Sequence, residues 1–550
     1  MKFTFKKAVS FIMVISMSFS LAACSGKKDS TKTSGKGKEI DTSKHVVISH
    51  LSLGNKPGNG QYEAAKAEWD KYLLDKVNAS LEIQYIGWTD YMTQYNLLLA
   101  TGEGLDLINS ASDWLEMWPN AQKGAFLKLN DLLPTYAPIT WESVPQSSWD
   151  EVTFKNDIIA IPEDMYTQWI NHGFMYRGDW AKEFGITDPI TTWEGFGRYL
   201  QGVKDKKGKD GVIPFDVAGI SNINALYDGW PISKSKLVCI DPVPSGLAFG
   251  KSADEWWEVR SRFDVQDDGT DLLLDFAKEM KKWGDAGYWR EDVLNNTADT
   301  WAQFKAGLTG TRQHHTQTYV TAHTELEREI PGADLQFFPW SKESGNLVKM
   351  SITHGATAVA ANSKNPERAL MVYDLIRNDE TMYKLFNWGI EGVQYVINDK
   401  AATPSSLVAV GIEGVQYVIN DKGQKDRPEG FNADNHGFSS NFWGGRMDKF
   451  ELAYPNVEMI SNWKEIYDEF DSYAVDYIYG RFVFDKSAVD SELAALSEVV
   501  NRLLPAICTG KAGDPEKAVA EFRDQLKKAG HDKVQAEVQR QMTEFKKSIQ

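Results

Sequence analysis

Asp113 and Trp114 stand side by side just after a short apolar run, Leu105 to Ile108, in a loop that closes with Trp118 and Pro119. An indole face covers the C–H face of a pyranose while a neighbouring carboxylate accepts from its hydroxyls, so this pair has the chemistry of a sugar contact. The same two residues also suit plain packing, Trp114 under its own loop and Asp113 as the cap of the following helix. Both readings stand on the residues alone. Gln313, His314 and His315 invite metal ligation, but adjacent residues on a strand point to opposite faces and no second pair lies at helical spacing, which argues against a metal. Asp264 to Gly269 has the outline of a calcium loop, yet Gln266 and Asp275 occupy two of the ligand places, and calcium is not expected there. No catalytic signature is recognisable and no cofactor is expected. A glycoside hydrolase would need two carboxylates about 5 to 9.5 Å apart across the scissile bond, and a chain this rich in acids leaves that alternative open.

Several elements must position these residues. Val46 to Leu51 reads as a strand, and Ala65, Trp69, Tyr72, Leu73 and Val77 share one face of a helix. Leu81, Ile83 and Tyr85 alternate as a second strand, and Tyr91, Tyr95, Leu98 and Leu99 stripe a second helix before the strand at Leu105. Such a β-α-β-α-β run makes a parallel sheet with right-handed crossovers, whose ligands sit beyond the carboxyl ends of the strands. The loops Gly54 to Gly60 and Ser110 to Trp118 leave those ends. From Asp157 through Pro162 and Trp169 to Trp180, two apolar strands flank polar and aromatic alternation, the pattern of a segment crossing between two lobes. The last hundred residues are mostly helical, with their charge runs on solvated faces.

At 550 residues the chain is too long for one ordinary core, and two large lobes satisfy the length. From His45 onward it carries 51 basic and 74 acidic residues, a net charge of −23, which makes nucleic acid an unsuitable partner. Lys2, Lys6 and Lys7 precede an apolar run, Ala8 to Ala22, that ends in Leu21-Ala-Ala-Cys24; this is an export signal read by a protease. The run is about 15 residues, short of the roughly 20 that a spanning helix needs. Ser25 to Lys44 has almost nothing apolar and reads as a flexible tether. Beyond Cys24 only Cys239 and Cys508 occur, and two buried thiols are favoured over one bridge.

One internal feature is unambiguous. Gly389 to Lys400 recurs residue for residue as Gly411 to Lys422, 22 positions on. A solenoid needs at least three copies, so a tandem duplication is the better account. One copy is expected to pack and the other to be carried on the surface as a long loop; both copies equally buried in one sheet would contradict this.

The ending at Cys24 resembles the lipobox of bacterial lipoproteins, in which the cysteine thiol is lipidated. Together with Ala100-Thr-Gly-Glu-Gly-Leu-Asp-Leu107, Ile159 to Pro162 leading to Tyr176-Arg177-Gly-Asp-Trp180, Asn362-Ser-Lys-Asn-Pro-Glu-Arg-Ala369 and Gly389-Ile-Glu-Gly392, it makes the chain similar to the extracellular solute-binding lipoproteins of carbohydrate ABC importers, the large branch of the maltose-binding type. The duplication departs from that pattern. The resemblance implies an α/β two-lobe clamshell of the periplasmic-binding-protein type with extra C-terminal helices, closing by hinge motion on a sugar. It implies a signal peptide at 1–23, an anchor and tether at 24–44, a first lobe at 45–160, a second at 161–350, a return at 351–425 and a helical region at 426–550 packing on both lobes. By position it implies ligand contacts from Asp113, Trp114, Glu163, Asp164, Tyr166, Trp169, Gln313, His314, Trp340 and Trp443. The implied protein is a monomeric receptor without catalysis. It is held on the outer face of the cell membrane through Cys24 and hands its sugar to a permease. A receptor for a peptide or another polar solute is the third alternative.

Overall fold

The computed structural model describes residues 41–87, 91–102, 104–164, 172–241, 243, 246–252, 254–349, 351–397, 417–419, 425–426, 437–447, 449–450, 470 and 472–549. Two compact units divide the chain, Met1–Asp41 and Thr42–Gln550, and every element below belongs to the second. Cys24, the export signal and most of the tether lie outside the described residues, as do Tyr166 and Trp169.

Strand β1, Val46–Leu53, pairs in parallel with β2, Ala79–Ile86, along its whole length and with β3, Leu107–Ser110. Helix α1, Gln61–Val77, joins the first two and buries Ala65, Trp69, Leu73 and Val77 on one face. It stops because Asn78 turns left-handed, at φ 46°, and its N–H closes on the carbonyls of Leu73 and Leu74. Helix α2, Tyr91–Thr101, makes the second crossover, burying Tyr95 and Leu99. The run is the one its periodicity implied. Two further strands complete this sheet: Ala356–Val359 lies antiparallel beside β3, and Ile161–Pro162 lies beyond it, antiparallel to Ala356–Val359 and so running with β3. The first core therefore combines residues from Ile48 to Ile161 with residues from Ala356 to Phe442.

A second core forms around the strand His172–Arg177, flanked antiparallel by Thr311–His315 and Leu335–Pro339. It is aromatic. Phe174 stacks on Phe196 with ring centroids 4.3 Å apart, and Trp193 meets Phe174 edge-on at 5.0 Å. Trp193 begins the helix Trp193–Lys207, whose N-cap Thr192 accepts from the Gly195 N–H. The helices Asp490–Cys508, Pro515–Lys528 and His531–Ile549 bury Leu504, Phe522 and Val538 in this same core. The α/β two-lobe architecture is thus built on two main hydrophobic cores, between which the chain passes after Pro162, before Ala356 and again between Phe442 and Tyr479. Cys239 and Cys508 are both free thiols. Among the described residues no helix is long and apolar enough to cross a membrane.

Of the second copy of the duplicated segment, only Tyr417–Ile419 lies among the described residues. In the first copy Gln394 is fully buried, donates to the Gln61 carbonyl at 2.8 Å and accepts from the Ile390 N–H at 2.7 Å. Tyr395–Ile397 then pairs in parallel with Tyr417–Ile419 of the second copy, Tyr395 on Tyr417, Val396 on Val418 and Ile397 on Ile419. Lys425–Asp426 adds a third, antiparallel strand. The second copy is therefore tied to the first by a sheet at those three residues.

Candidate functional site

A cavity of about 880 Å³ opens between the two cores, near the upper end of the roughly 300–1,000 Å³ common for small-molecule sites. From the first lobe it takes Tyr91 and the loop after β3, including Asp113, Trp114 and Glu116. The loop is clamped to the chain's returning segment. Ser112 donates its N–H to the Thr353 carbonyl at 2.9 Å, and the Trp114 indole N–H donates to the His354 carbonyl at 2.9 Å. The Asp113 carboxylate lies 2.7 Å from the His354 ring nitrogen. Asp113 does not cap the next helix, Met117–Gln122, because Glu116 occupies that place and no side chain caps it. Trp114 packs edge-on against Trp443 at 5.7 Å, which leaves it half-buried in the cavity wall. Trp443 is fixed by its neighbour: a Cβ on Gly444 would lie 2.4 Å from the Ala356 carbonyl carbon, so only glycine lets that backbone sit on the sheet.

From the second lobe come His172, Asn224, Asp228, Cys239, Asp241 and Arg262. Asp228 projects from the helix Ile220–Lys234 and pairs with Arg262, whose guanidinium lies over the rings of Tyr227, Phe249 and Phe263 at 5.1–5.5 Å. Asp241 follows the short strand Val238–Cys239. It is open to the cavity yet ringed by protein atoms, and this burial, reinforced by the Asp113 charge, pushes its carboxyl up to about 7. Burial likewise holds the Cys239 thiol and the Tyr477 hydroxyl beside it well above their ordinary values.

The residues implied by resemblance separate into three groups. Asp113 and Trp114 line the cavity, with Trp443 behind them. Glu163 and Asp164 do not line it. The Glu163 carboxylate accepts from Arg446 at 2.6 Å and Asp164 from Arg377 at 2.5 Å, so both are used inside the first lobe's frame. Gln313, His314 and Trp340 form a layer behind His172. Gln313 bonds the His172 ring at 3.0 Å, His314 stacks on it at 6.1 Å, and Trp340 stacks on it at 5.9 Å. Trp340 is 1% exposed, with Trp193 and Phe174 also against it, and presents no free face. Burial lowers His172 to about 4 and His314 to about 3, so both rings are neutral. His315 caps the helix Thr316–Glu329 through the Thr318 N–H. In the calcium-like loop, Asp267 is paired with Arg260 and Asp271 with Arg523. Among the described residues no group of three His, Cys, Asp or Glu side chains is placed to hold a metal.

Asn224, Asp228, Asp241, Arg262 and His354 were not anticipated from the sequence. They come from one helix, two turns that follow two-residue strands and a bend, and share no motif or spacing.

Comparison with known proteins places this geometry in context. A curated "Carbohydrate ABC transporter substrate-binding protein" of Streptococcus pneumoniae serotype 4 (strain ATCC BAA-334 / TIGR4) is 24% identical over 548 residues, covering 99% of both chains. The crystal structure of the N-glycan transport solute binding protein NgtS from Streptococcus pneumoniae, in complex with Man1GlcNAc, has a TM-score of 0.66 at 22% identity over 91% of this chain and 99% of that one. The S. pneumoniae ABC-transporter substrate binding protein FusA in complex with kestose has a TM-score of 0.58 at 15% identity, covering 92% and 100%. At these identities the two structures bear on the fold alone. A domain of unknown function (DUF3502) matches residues 478–547, the part that carries the last three helices. The family model for the bacterial extracellular solute-binding protein matches residues 69–404, spanning most of both lobes and the cavity's Asp113–Trp114 loop, and the chain belongs to that family.

Proposed function

We propose that this chain is a lipid-anchored receptor that binds an oligosaccharide in the interlobe cavity and delivers it to the permease of an ABC transporter. The observation that carries the reading is the cavity wall itself. An indole beside a carboxylate on the first lobe, Trp114 and Asp113, faces polar side chains on the second, among them Asp228 and Asp241. A ligand touching both walls stabilises the closed arrangement by its differential affinity for it, and closure is what a permease would read. The curated relative's name and the sugars in the two solved complexes support a carbohydrate ligand and a transporter partner. Cys24, acylated by two chains at about 0.8 kcal/mol per buried methylene, would anchor the protein durably. The tether of about 20 residues gives roughly 25 Å of reach. Nothing in this reading requires bond breaking.

The test is a thermal-shift screen of the exported chain against mono- and oligosaccharides. A sugar at 100 times its dissociation constant is expected to stabilise by about 2.7 kcal/mol. The same sugar is expected to be recovered intact after prolonged incubation; release of reducing ends would instead identify a hydrolase. Cys24→Ala is expected to release the protein from membranes into the medium.

A further inference from the structure

We propose that the cavity selects non-acidic oligosaccharides and rejects those that carry carboxylates, with Asp241 as the specificity-determining residue; this rests on reading the cavity as a sugar site. Carboxylates reach the cavity from both lobes, Asp113 and Glu116 on one wall, Asp228 and Asp241 on the other. The cations that border it already have acidic partners: Arg262 with Asp228, Lys349 with Asp476 at 3.3 Å and Lys486 with Asp490 at 3.3 Å. His354 is held by Asp113, and His172 is neutral. Among the described residues no Lys, Arg or His is in ion-pair contact with Asp241. Its neighbours are the Cys239 thiol, the Tyr477 hydroxyl and, as charges, Asp113 and His354. A carboxylate brought into this wall would meet like charge without compensation.

Hydrogen bonding points the same way. A sugar hydroxyl can donate to the Asp241 carboxylate at the cavity wall. An ionised carboxylate accepts only, so it leaves Asp241 unsatisfied. Asp241 titrates near 7, and its charge is therefore adjustable under conditions where the fold survives.

The experiment is a glycan array carrying neutral, uronic and sialylated oligosaccharides, probed with the intact exported protein at pH 8 and pH 6, with hits quantified by calorimetry. At pH 8 acidic glycans are expected to bind at least tenfold more weakly than matched neutral ones. That gap is expected to narrow at pH 6, and to narrow at pH 8 in Asp241→Asn, whose melting temperature checks its folding. Equal binding of acidic and neutral glycans at pH 8, or a gap that neither pH 6 nor Asp241→Asn changes, overturns the selectivity while leaving a sugar receptor. If no glycan of either kind binds, the sugar reading falls and the selectivity with it. The wild-type pH series decides the matter even if Asp241→Asn does not fold.

Discussion

Arg377 is enclosed in the first core while carrying a full charge, because its guanidinium donates to the Asp164 carboxylate at 2.5 Å, the Pro162 carbonyl at 3.0 Å and the Tyr373 hydroxyl at 3.3 Å. Tyr373 in turn donates to the Gly444 carbonyl at 2.8 Å, which links the pair to the turn that holds Trp443. Removing one member of a buried pair leaves the other uncompensated, at about 3–5 kcal/mol. Arg377→Leu is therefore expected to lower unfolding free energy by that amount in urea titrations, and Arg377→Leu with Asp164→Leu to recover much of it. A loss under 1 kcal/mol in the single variant would show the pair to be solvated. Gly229 offers a second check in the other lobe. A Cβ there would lie 2.4 Å from the Trp340 indole, whereas one at Gly58 meets nothing within 4 Å. Gly229→Ala is expected to cost about 1–3 kcal/mol through overpacking, and Gly58→Ala close to none. Because Trp340 stacks on His172, the first variant is also expected to weaken ligand binding, read by calorimetry on the folded fraction.

At the scale of elements, the duplication is the most exposed to test. Residues 401–422 can be deleted so that Lys400 is followed by Gly423, which reproduces the natural junction after Lys422. The first copy's packing, through Gln394 and through Tyr395 edge-on against Trp388 at 5.8 Å, does not depend on the second. Loop closure entropy changes by only about 0.6 kcal/mol per doubling of length. The shortened protein is expected to keep its ligand affinity and to melt within a few degrees of the parent; failure to fold would mean that the paired strands are integral. The elements most legible in the sequence were those fixed by local periodicity: β1, α1, β2 and the final helices all lie close to where their apolar spacing puts them. Asp113 and Trp114 were legible too, since a loop leaving a parallel strand is set by chirality. The second wall was not. Asp241 and Arg262 owe their position to turns after two-residue strands, of which only the second, within Trp256 to Val265, has even a weak alternation, and the burial of Glu163 and Asp164 depends on Arg446 and Arg377, more than 200 residues further on. Long-range ion pairing leaves no local trace, so an acid beside an aromatic looks alike whether it faces a ligand or a guanidinium.

For the whole molecule, acid should loosen both lobes through the same chemistry. His50 sits in β1 of the first core with its ring 3.0 Å from the Asn109 carboxamide oxygen, and burial lowers it to about 4. His172 and His314 in the second lobe are lowered to about 4 and about 3, again by burial first. A histidine depressed from 6.5 binds fewer protons folded than unfolded, so its contribution is complete above pH 6.5 and is lost as pH falls toward its folded value. At about 1.4 kcal/mol per unit, His50 alone accounts for about 3 kcal/mol. Asp241 works in the opposite sense. Raised to about 7, it holds a proton in the folded state between roughly pH 4 and 7, where the unfolded chain has lost it, and so favours folding as pH falls through that window. Burial raises Glu151 and Asp216 in the same sense and lowers His323 in the sense of the other histidines, and the three strongly depressed imidazoles set the direction. Calorimetric melting temperatures are expected to be level from pH 8 to 7 and to drop between pH 6.5 and 4. Asp241→Asn is expected to steepen the drop, because it removes an opposing group, while His50→Gln, with a polar side chain that does not titrate, is expected to make it shallower. A melting temperature that rises on acidification, or a slope unchanged in both variants, would place the acid sensitivity elsewhere than in these groups.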